Sequence, residues 1–231
     1  MTMKKKLVVL TGAGISAESN ISTFRDSNGM WENHNIEDVA SIEGWNKNPA
    51  LVNNFYNLRR QNVRKATPNI AHDILAELES KYDVTILTQN VDDLHERAGS
   101  TNVLHMHGDI LTAISSDPNR QLNADNTIYP VTSDLNHLID LDSNGYSLRP
   151  NIVWFGEEVR YLLFAQEAVK KSDIFLVIGT SLNVFPVASL VKYAQGDCYN
   201  INPDINTHID GYINIHQVAS LGMLEFNAIH S

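Results

Sequence analysis

Short runs of apolar residues alternate along this chain with stretches in which apolar positions recur at helical spacing. Runs at 6–10, 84–87, 103–106, 174–178, 199–201 and 212–215 are short and nearly continuously apolar, and they predict buried strands. Strands separated by helical segments argue for a parallel sheet with crossover helices, an α/β fold. Asn48-Pro49 supplies a cap and a first-turn proline for a helix to about residue 65, and Thr67-Pro68 opens a second through Leu78. On the first helix Leu51, Phe55 and Leu58 form one stripe, and Val52, Tyr56, Arg59 and Val63 form an adjacent one. Residues 109–148 break the alternation; rich in Asp, Asn and Ser, they predict an irregular insertion with two or three short strands.

Polar clusters sit just past the carboxyl ends of the predicted strands, where open α/β sheets bind ligands. The run at 84–87 leads into Thr88-Gln-Asn-Val-Asp-Asp93, and that at 174–178 into Gly179-Thr-Ser-Leu182. The first strand leads into Leu10-Thr-Gly-Ala-Gly-Ile-Ser-Ala-Glu-Ser19. There Gly12, Gly14 and Ala17 match the spacing of a dinucleotide cradle, in which backbone N–H groups and a helix N-terminus meet a pyrophosphate. A hydride-transfer domain would continue into a helix, a second strand and a ribose-binding acid about 20 residues on. This chain instead runs through Thr23-Phe-Arg-Asp26 into a polar stretch ending near Asn35.

Composition narrows the class. The chain has 231 residues, 43% of them apolar, enough for one sizeable domain with a smaller insertion. No apolar stretch approaches the roughly 20 residues of a membrane span, so a soluble cytoplasmic protein is expected. Cys198 is the only cysteine, which excludes an intramolecular disulfide and a cysteine-cluster metal site. The net charge of -10 argues against a nucleic-acid surface. Tyr56 and Arg59, three apart on one helix face, admit two readings: a carboxylate site built from a guanidinium and a hydroxyl, or a solvated Arg beside a partly buried Tyr.

Taken in order, the motifs resemble the sirtuin family of NAD-dependent protein deacylases. They are Thr-Gly-Ala-Gly-Ile-Ser-Ala-Glu-Ser at 11–19, Thr-Phe-Arg-Asp at 23–26, Thr-Gln-Asn-Val-Asp at 88–92 and Leu-His-Met-His-Gly-Asp at 104–109. Arg-Pro-Asn-Ile-Val-Trp-Phe-Gly-Glu at 149–157, Gly-Thr-Ser-Leu at 179–182 and Ile-Asn-Pro-Asp at 201–204 complete the set. The resemblance spans nearly the whole chain and implies a Rossmann-like parallel sheet, 1–26, 67–108 and 150–231, with a smaller lobe inserted at 27–66 and 109–149. The implied chemistry removes an acyl group from lysine and releases nicotinamide and O-acyl-ADP-ribose.

The resemblance also implies roles. His107 is the general base that deprotonates a ribose hydroxyl, a task suited to an imidazole titrating near neutrality. Strand alternation puts His105 and His107 on one face, and Gly108 lets the backbone turn after them; His105, His95 and His72 are expected to be structural. Asn90 and Asp92 hold ribose hydroxyls and a water beside the scissile bond, with Gln89 joining them. Gly12, Ala13, Gly14, Ala17 and Glu18 belong to the cradle, and Phe24 and Arg25 to a loop covering the nicotinamide end. Gly179, Thr180 and Ser181 resemble the second phosphate and ribose turn, and Asn202 the adenosine-ribose contact. Ala219 stands against adenine, although the flanking Gln217-Val218 departs from the family's glycine-containing sequence. Val153, Trp154, Phe155, Gly156 and Glu157 resemble the strand that pairs with the substrate backbone.

Phe55-Tyr-Asn-Leu-Arg-Arg60 is similar to the branch that prefers succinyl, malonyl or glutaryl lysine, which implies that Tyr56 and Arg59 bind a distal carboxylate while Ala17 leaves room for the longer chain. The chain departs from the family between Gly108 and Arg149. Most sirtuins carry two Cys-x-x-Cys pairs there for a structural zinc, whereas this region has no cysteine and only His137 as a good nitrogen ligand. No metal is therefore expected, and the insertion is expected to be held by Ile110, Leu111, Ile128, Tyr129, Leu138 and Ile139. Acyl-lysine proteins or peptides are the expected partners, without nucleic acid or membrane; the oligomeric state is left open, a monomer included. NAD hydrolysis and mono-ADP-ribosyl transfer are the alternative activities, and a catalytically dead NAD-binding module is a third reading, against which Asn90, Asp92 and His107 argue.

Overall fold

A computed structural model describes residues 3–23, 30–31, 34–120 and 127–230, with the backbone alone for 30–31. Phe24 and Arg25 lie outside the described residues. In chain order the strands are β1 (Lys6–Thr11), β2 (Met30–Trp31), β3 (His34–Asn35), β4 (Asp83–Thr88), β5 (Val103–His105), β6 (Gly108–Ser115), β7 (Tyr129–Pro130), β8 (Leu148–Ile152), β9 (Ile174–Ile178), β10 (Asp197–Ile201) and β11 (Ile213–Ile215). The α-helices are α1 (Ile36–Val39), α2 (Ile42–Lys47), α3 (Pro49–Lys65), α4 (Ile70–Leu78), α5 (Leu94–Ala98), α6 (Leu162–Lys170) and α7 (Ala219–Ile229). Among the described residues no helix is long and apolar enough to cross a membrane.

The chain forms two compact units, the first comprising 1–23, 66–107 and 159–231. At its centre is a parallel sheet of order β11-β10-β9-β1-β4-β5. Its apolar runs are continuous because both faces are covered. Leu7 and Val9 of β1 pack with Ala71, Leu75 and Leu78 of α4 and Met223 and Phe226 of α7. Val8 and Leu10 point the other way, into a cluster with Ala165 and Val169 of α6 and Phe175 and Val177 of β9. All six expected strands are present, one with the expected bounds and the others displaced at one or both ends by one or two residues. The order reverses at β1: the chain moves outward through β4 and β5, then returns to β9 on the other side. The β1/β9 boundary is thus the switch point at which such sheets bind ligands.

Two helix expectations change. The helix expected from Thr67-Pro68 begins at Ile70, because Asn69 caps it: its Oδ1 accepts from Ala71 N–H at 3.0 Å, and His72 completes a capping box. The helix expected after the glycines is instead a pair of 3₁₀ turns, Ala13–Ile15 and Ala17–Ser19, ended by Asn20 in the left-handed region at φ 61°.

The second unit comprises 24–65 and 108–158. It takes in 150–158, expected with the Rossmann-like part, because β8 pairs antiparallel with β6 in a sheet of order β7-β6-β8. On α3 the stripe Val52, Tyr56, Arg59 and Val63 is buried, whereas of the other stripe Phe55 is buried, Leu51 half-buried and Leu58 exposed. Ile128, Leu138 and Ile139 are also exposed; with Ile110 buried, the apolar cluster of the insertion is Ala113, Val131, Leu135 and Leu148. Polar groups reinforce it. Asn57 Nδ2 donates to Leu135 O and its Oδ1 accepts from Leu135 N–H, both at 2.9 Å, while Arg60 Nε donates to Ile110 O at 2.7 Å. Ser115 Oγ donates to Asp142 at 2.6 Å.

Candidate active site

In the first unit the loops after β1, β4, β9 and β10 are laced together by hydrogen bonds. Gly12 N–H donates to Ile178 O at 2.9 Å, and Gly14 N–H to Gly179 O at 2.8 Å. These two amides therefore join loop to loop and are not the phosphate donors that the motif alone suggests. The glycines are needed for approach. A Cβ on Gly14 would lie 2.7 Å from Gly179 Cα, and one on Gly179, itself at φ +62°, would lie 2.5 Å from Ile15 N. Gln89 N–H donates to Thr11 O, its side-chain amide reaches Thr180 Oγ1 at 3.0 Å, and Asn202 Nδ2 donates to Thr180 O at 2.9 Å. Ser181 is exposed beside them. Asn69 Nδ2 anchors the 3₁₀ turns through Ile15 O at 2.8 Å and Ser19 Oγ at 2.9 Å.

Three catalytic candidates meet on this frame. Asn90 Nδ2 donates to Ser16 Oγ at 3.1 Å, and Ser16 Oγ donates in turn to Asp92 Oδ2 at 3.0 Å. Burial pushes the Asp92 carboxyl above its ordinary range, against the opposing bonds from Leu94 N–H and Ser16. His107 is the second residue of the two-residue turn between β5 and β6, not in strand alternation with His105. Its Nδ1 lies 3.1 Å from Gln89 O. A carbonyl only accepts, so Nδ1 carries the proton and Nε2 is left as the basic nitrogen. Burial lowers the pKa of His107, with the Gln89 bond pulling the other way. Gly108 follows at φ +92°, where a Cβ would lie 2.0 Å from Asn151 O.

The neighbouring histidines are tied into the fold by hydrogen bonds or burial. His105 bridges Asn90 O at 3.1 Å and Glu96 at 2.8 Å. His72 and His95 are fully buried, with ring centroids 5.0 Å apart, and burial lowers both. Glu18, expected on the cofactor, has its carboxylate on the first turn of α7, where Oε2 accepts from Ser220 N–H at 2.9 Å and Oε1 from Ser220 Oγ. Ala219 is buried at the start of the same helix. Ala13 and Gly14 are half-buried and Ala17 is exposed.

The second unit holds the other constellation. Tyr56 is fully buried and Arg59 is 9% exposed, so the reading of a solvated Arg beside a partly buried Tyr does not hold. The Arg59 guanidinium lies 5.5 Å from the Phe55 ring centroid. Tyr56 Oη accepts from Trp154 Nε1–H at 3.1 Å, and burial keeps the phenol well above its ordinary pKa. Arg149 is paired with Glu157 and lies 4.1 Å from the Trp154 ring centroid. The strand expected at 153–157 is instead an irregular turn with one bridge, Phe155 to Ser41; Val153 is half-buried, Trp154 buried, and Phe155 and Gly156 exposed. Gly156, at φ +91°, makes the turn.

Ser16 and Asn69 are the hydrogen-bonding groups at this site that motif reading passes over. Ser16 stands inside the glycine motif, and the pattern Asn69-x-x-His72 is a legible capping signal. The donor set of the first unit fits a dinucleotide: small residues permit close backbone approach, and Asn90, Asp92 and Asn202 suit ribose hydroxyls. No cysteine lies between Gly108 and Arg149, so the residues present do not fit a four-thiolate zinc centre.

Comparison with known proteins agrees with this geometry. A curated NAD-dependent protein deacylase of Helicobacter pylori (strain J99) is 53% identical over 202 residues, covering 86% of this chain and 83% of the relative. A protein of the same name from Bacteroides thetaiotaomicron is 45% identical over 229 residues, covering 97% of each. Among solved structures, a Sir2 homologue in complex with NAD superimposes with a TM-score of 0.83 at 37% identity, covering 98% of this chain and 89% of the other. The model of the Sir2 family matches residues 12–186, and the chain belongs to that family.

Proposed function

We propose that the chain is an NAD-dependent protein-lysine deacylase that removes acetyl and, through Tyr56 and Arg59, succinyl or malonyl groups, with nicotinamide and O-acyl-ADP-ribose as products. The observation that carries the reading is the linked set Asn90–Ser16–Asp92 beside His107, whose Nδ1–H is held by Gln89 O. When bound, NAD supplies a ribose carbon whose bond to nicotinamide can be broken. Asn90 and Asp92 orient ribose hydroxyls and a water beside the scissile bond, and the fixed network lowers the entropy lost in reaching the reacting geometry. His107 Nε2 accepts a proton from a ribose hydroxyl, a task its lowered pKa suits because the imidazole stays neutral around pH 7. Gly179, Thr180, Asn202 and Ala219 are assigned to the adenosine end, and the exposed residues Phe155 and Gly156 to the substrate peptide.

Burial of Arg59 and Tyr56 on one face of α3 supports the carboxylate role, since a buried cation and a phenol held protonated favour an anionic acyl end. Arg59→Met removes a charge-assisted hydrogen bond worth roughly 1.5–3 kcal/mol. Desuccinylation should then fall by roughly 10- to 100-fold in kcat/KM while deacetylation is nearly kept. Equal losses with the two acyl peptides would contradict the acyl preference. We further propose that the second unit holds its shape without zinc, through the Asn57, Arg60 and Ser115 bonds described above.

A further inference from the structure

The Trp154 side chain is unlike the rest of 153–157. Its neighbours Phe155 and Gly156 are exposed, whereas the indole is 2% exposed and ends on Tyr56 Oη at 3.1 Å. An indole N–H can only donate. The phenol oxygen is therefore the acceptor in this bond, and its own proton must point away from the indole toward some other acceptor.

The indole is itself held from several sides. The Arg149 guanidinium lies 4.1 Å from its ring centroid, Trp45 packs at 6.0 Å, and Trp154 N–H donates to Glu157 Oε2 at 2.8 Å. Glu157 in turn pairs with Arg149, which closes a ring of contacts around Trp154. A cation over the π face draws electron density from the ring and makes its N–H a stronger donor.

We propose that Trp154 is a positioning residue for acyl specificity: its indole N–H occupies Tyr56 Oη as acceptor, so that the phenol serves as a donor to an acyl chain ending in a carboxylate. The inference rests on the carboxylate role of Tyr56 and Arg59 given above, and it assigns the Trp154 side chain a duty separate from peptide pairing. An acetyl group ends in a methyl that offers no acceptor, so the donor is felt only by acidic acyl chains.

The test replaces Trp154 by Phe and, to keep the bicyclic shape, by 3-benzothienylalanine, which substitutes sulfur for N–H. Steady-state kinetics with succinyl-lysine and acetyl-lysine versions of one peptide are compared with those of Arg59→Met and Tyr56→Phe. The expected result is a rise in KM for the succinyl peptide roughly 10-fold greater than any rise for the acetyl peptide. The effect should vanish when the substitution is made on a Tyr56→Phe background, the signature of a coupled pair. A selective loss in Arg59→Met together with unchanged or equally reduced activity on both peptides in the two Trp154 variants overturns this proposal alone. Equal losses on both peptides in Arg59→Met overturn the carboxylate reading, and this inference with it.

Discussion

His107 has one nitrogen committed and one available, and its burial sets the pH at which the available one works. Because its pKa lies below the ordinary 6.5, the neutral form persists as pH falls through that value. The acid limb of the kcat/KM profile is therefore expected below pH 6.5, and His107→Ala is expected to abolish it together with most turnover. An acid limb above 6.5 would contradict the assignment. Residues of this kind were legible, because Asn90, Asp92 and His107 lie in motifs that end predicted strands. Arg60 was not. It is fully buried, donates to Ile110 O at 2.7 Å and to Asn57 Oδ1 at 2.6 Å, and burial lowers its pKa to about 10. Nothing in a helical pattern separates such an Arg from a solvated one, since the difference lies in carbonyls of a strand 50 residues away.

At the scale of elements, the cap of α4 couples stability to pH. His72 completes the capping box, and burial depresses its pKa from 6.5 to about 4. The unfolded chain binds a proton at this position below 6.5 and the folded chain does not, so stability is full above 6.5 and is lost as pH falls toward 4. The loss amounts to about 3 kcal/mol. His72→Gln keeps an acceptor for the Asn69 N–H and removes the titration, and thermal melts from pH 7 to 4 should show a flatter dependence than the parent. An unchanged slope would assign the acid sensitivity elsewhere. The N-terminus of α7 has no side-chain cap of its own and depends on Glu18 from the cradle. Glu18→Ala is expected to raise KM for NAD several-fold with little change in kcat, because Ala219 and the adenosine end lose their anchor; a fall in kcat at constant KM would contradict this. The strands of the sheet could be read directly, since burial on both faces leaves an unbroken apolar run. The turn at 153–157 could not, because its conformation depends on Gly156 and on one bridge to Ser41.

At the scale of the molecule, the parallel sheet gathers every assigned NAD residue of the first unit at the carboxyl ends of β1, β4, β9 and β10 or just beyond β5 and β11. This arrangement follows from the strand order, which places the glycine loop and the Gly179 turn side by side at the switch point. The order was foreshadowed by polar clusters at strand ends, whereas the boundary of the second unit was not, because the pairing of β8 with β6 joins distant segments. Its insertion is held by Ala113, Val131, Leu135 and Leu148 and by buried hydrogen bonds. Dialysis against a chelator is accordingly expected to leave the melting temperature and deacylation unchanged, with substoichiometric zinc by elemental analysis; a chelator-sensitive melt restored by zinc would contradict it. The most direct test of the whole account is mass spectrometry of the protein incubated with NAD and matched acetyl-lysine and succinyl-lysine peptides, with a no-peptide control and His107→Ala. The account predicts peptide-dependent loss of the acyl group with formation of O-acyl-ADP-ribose, abolished in the variant, whereas nicotinamide release at the same rate without peptide would contradict it and make NAD hydrolysis the activity.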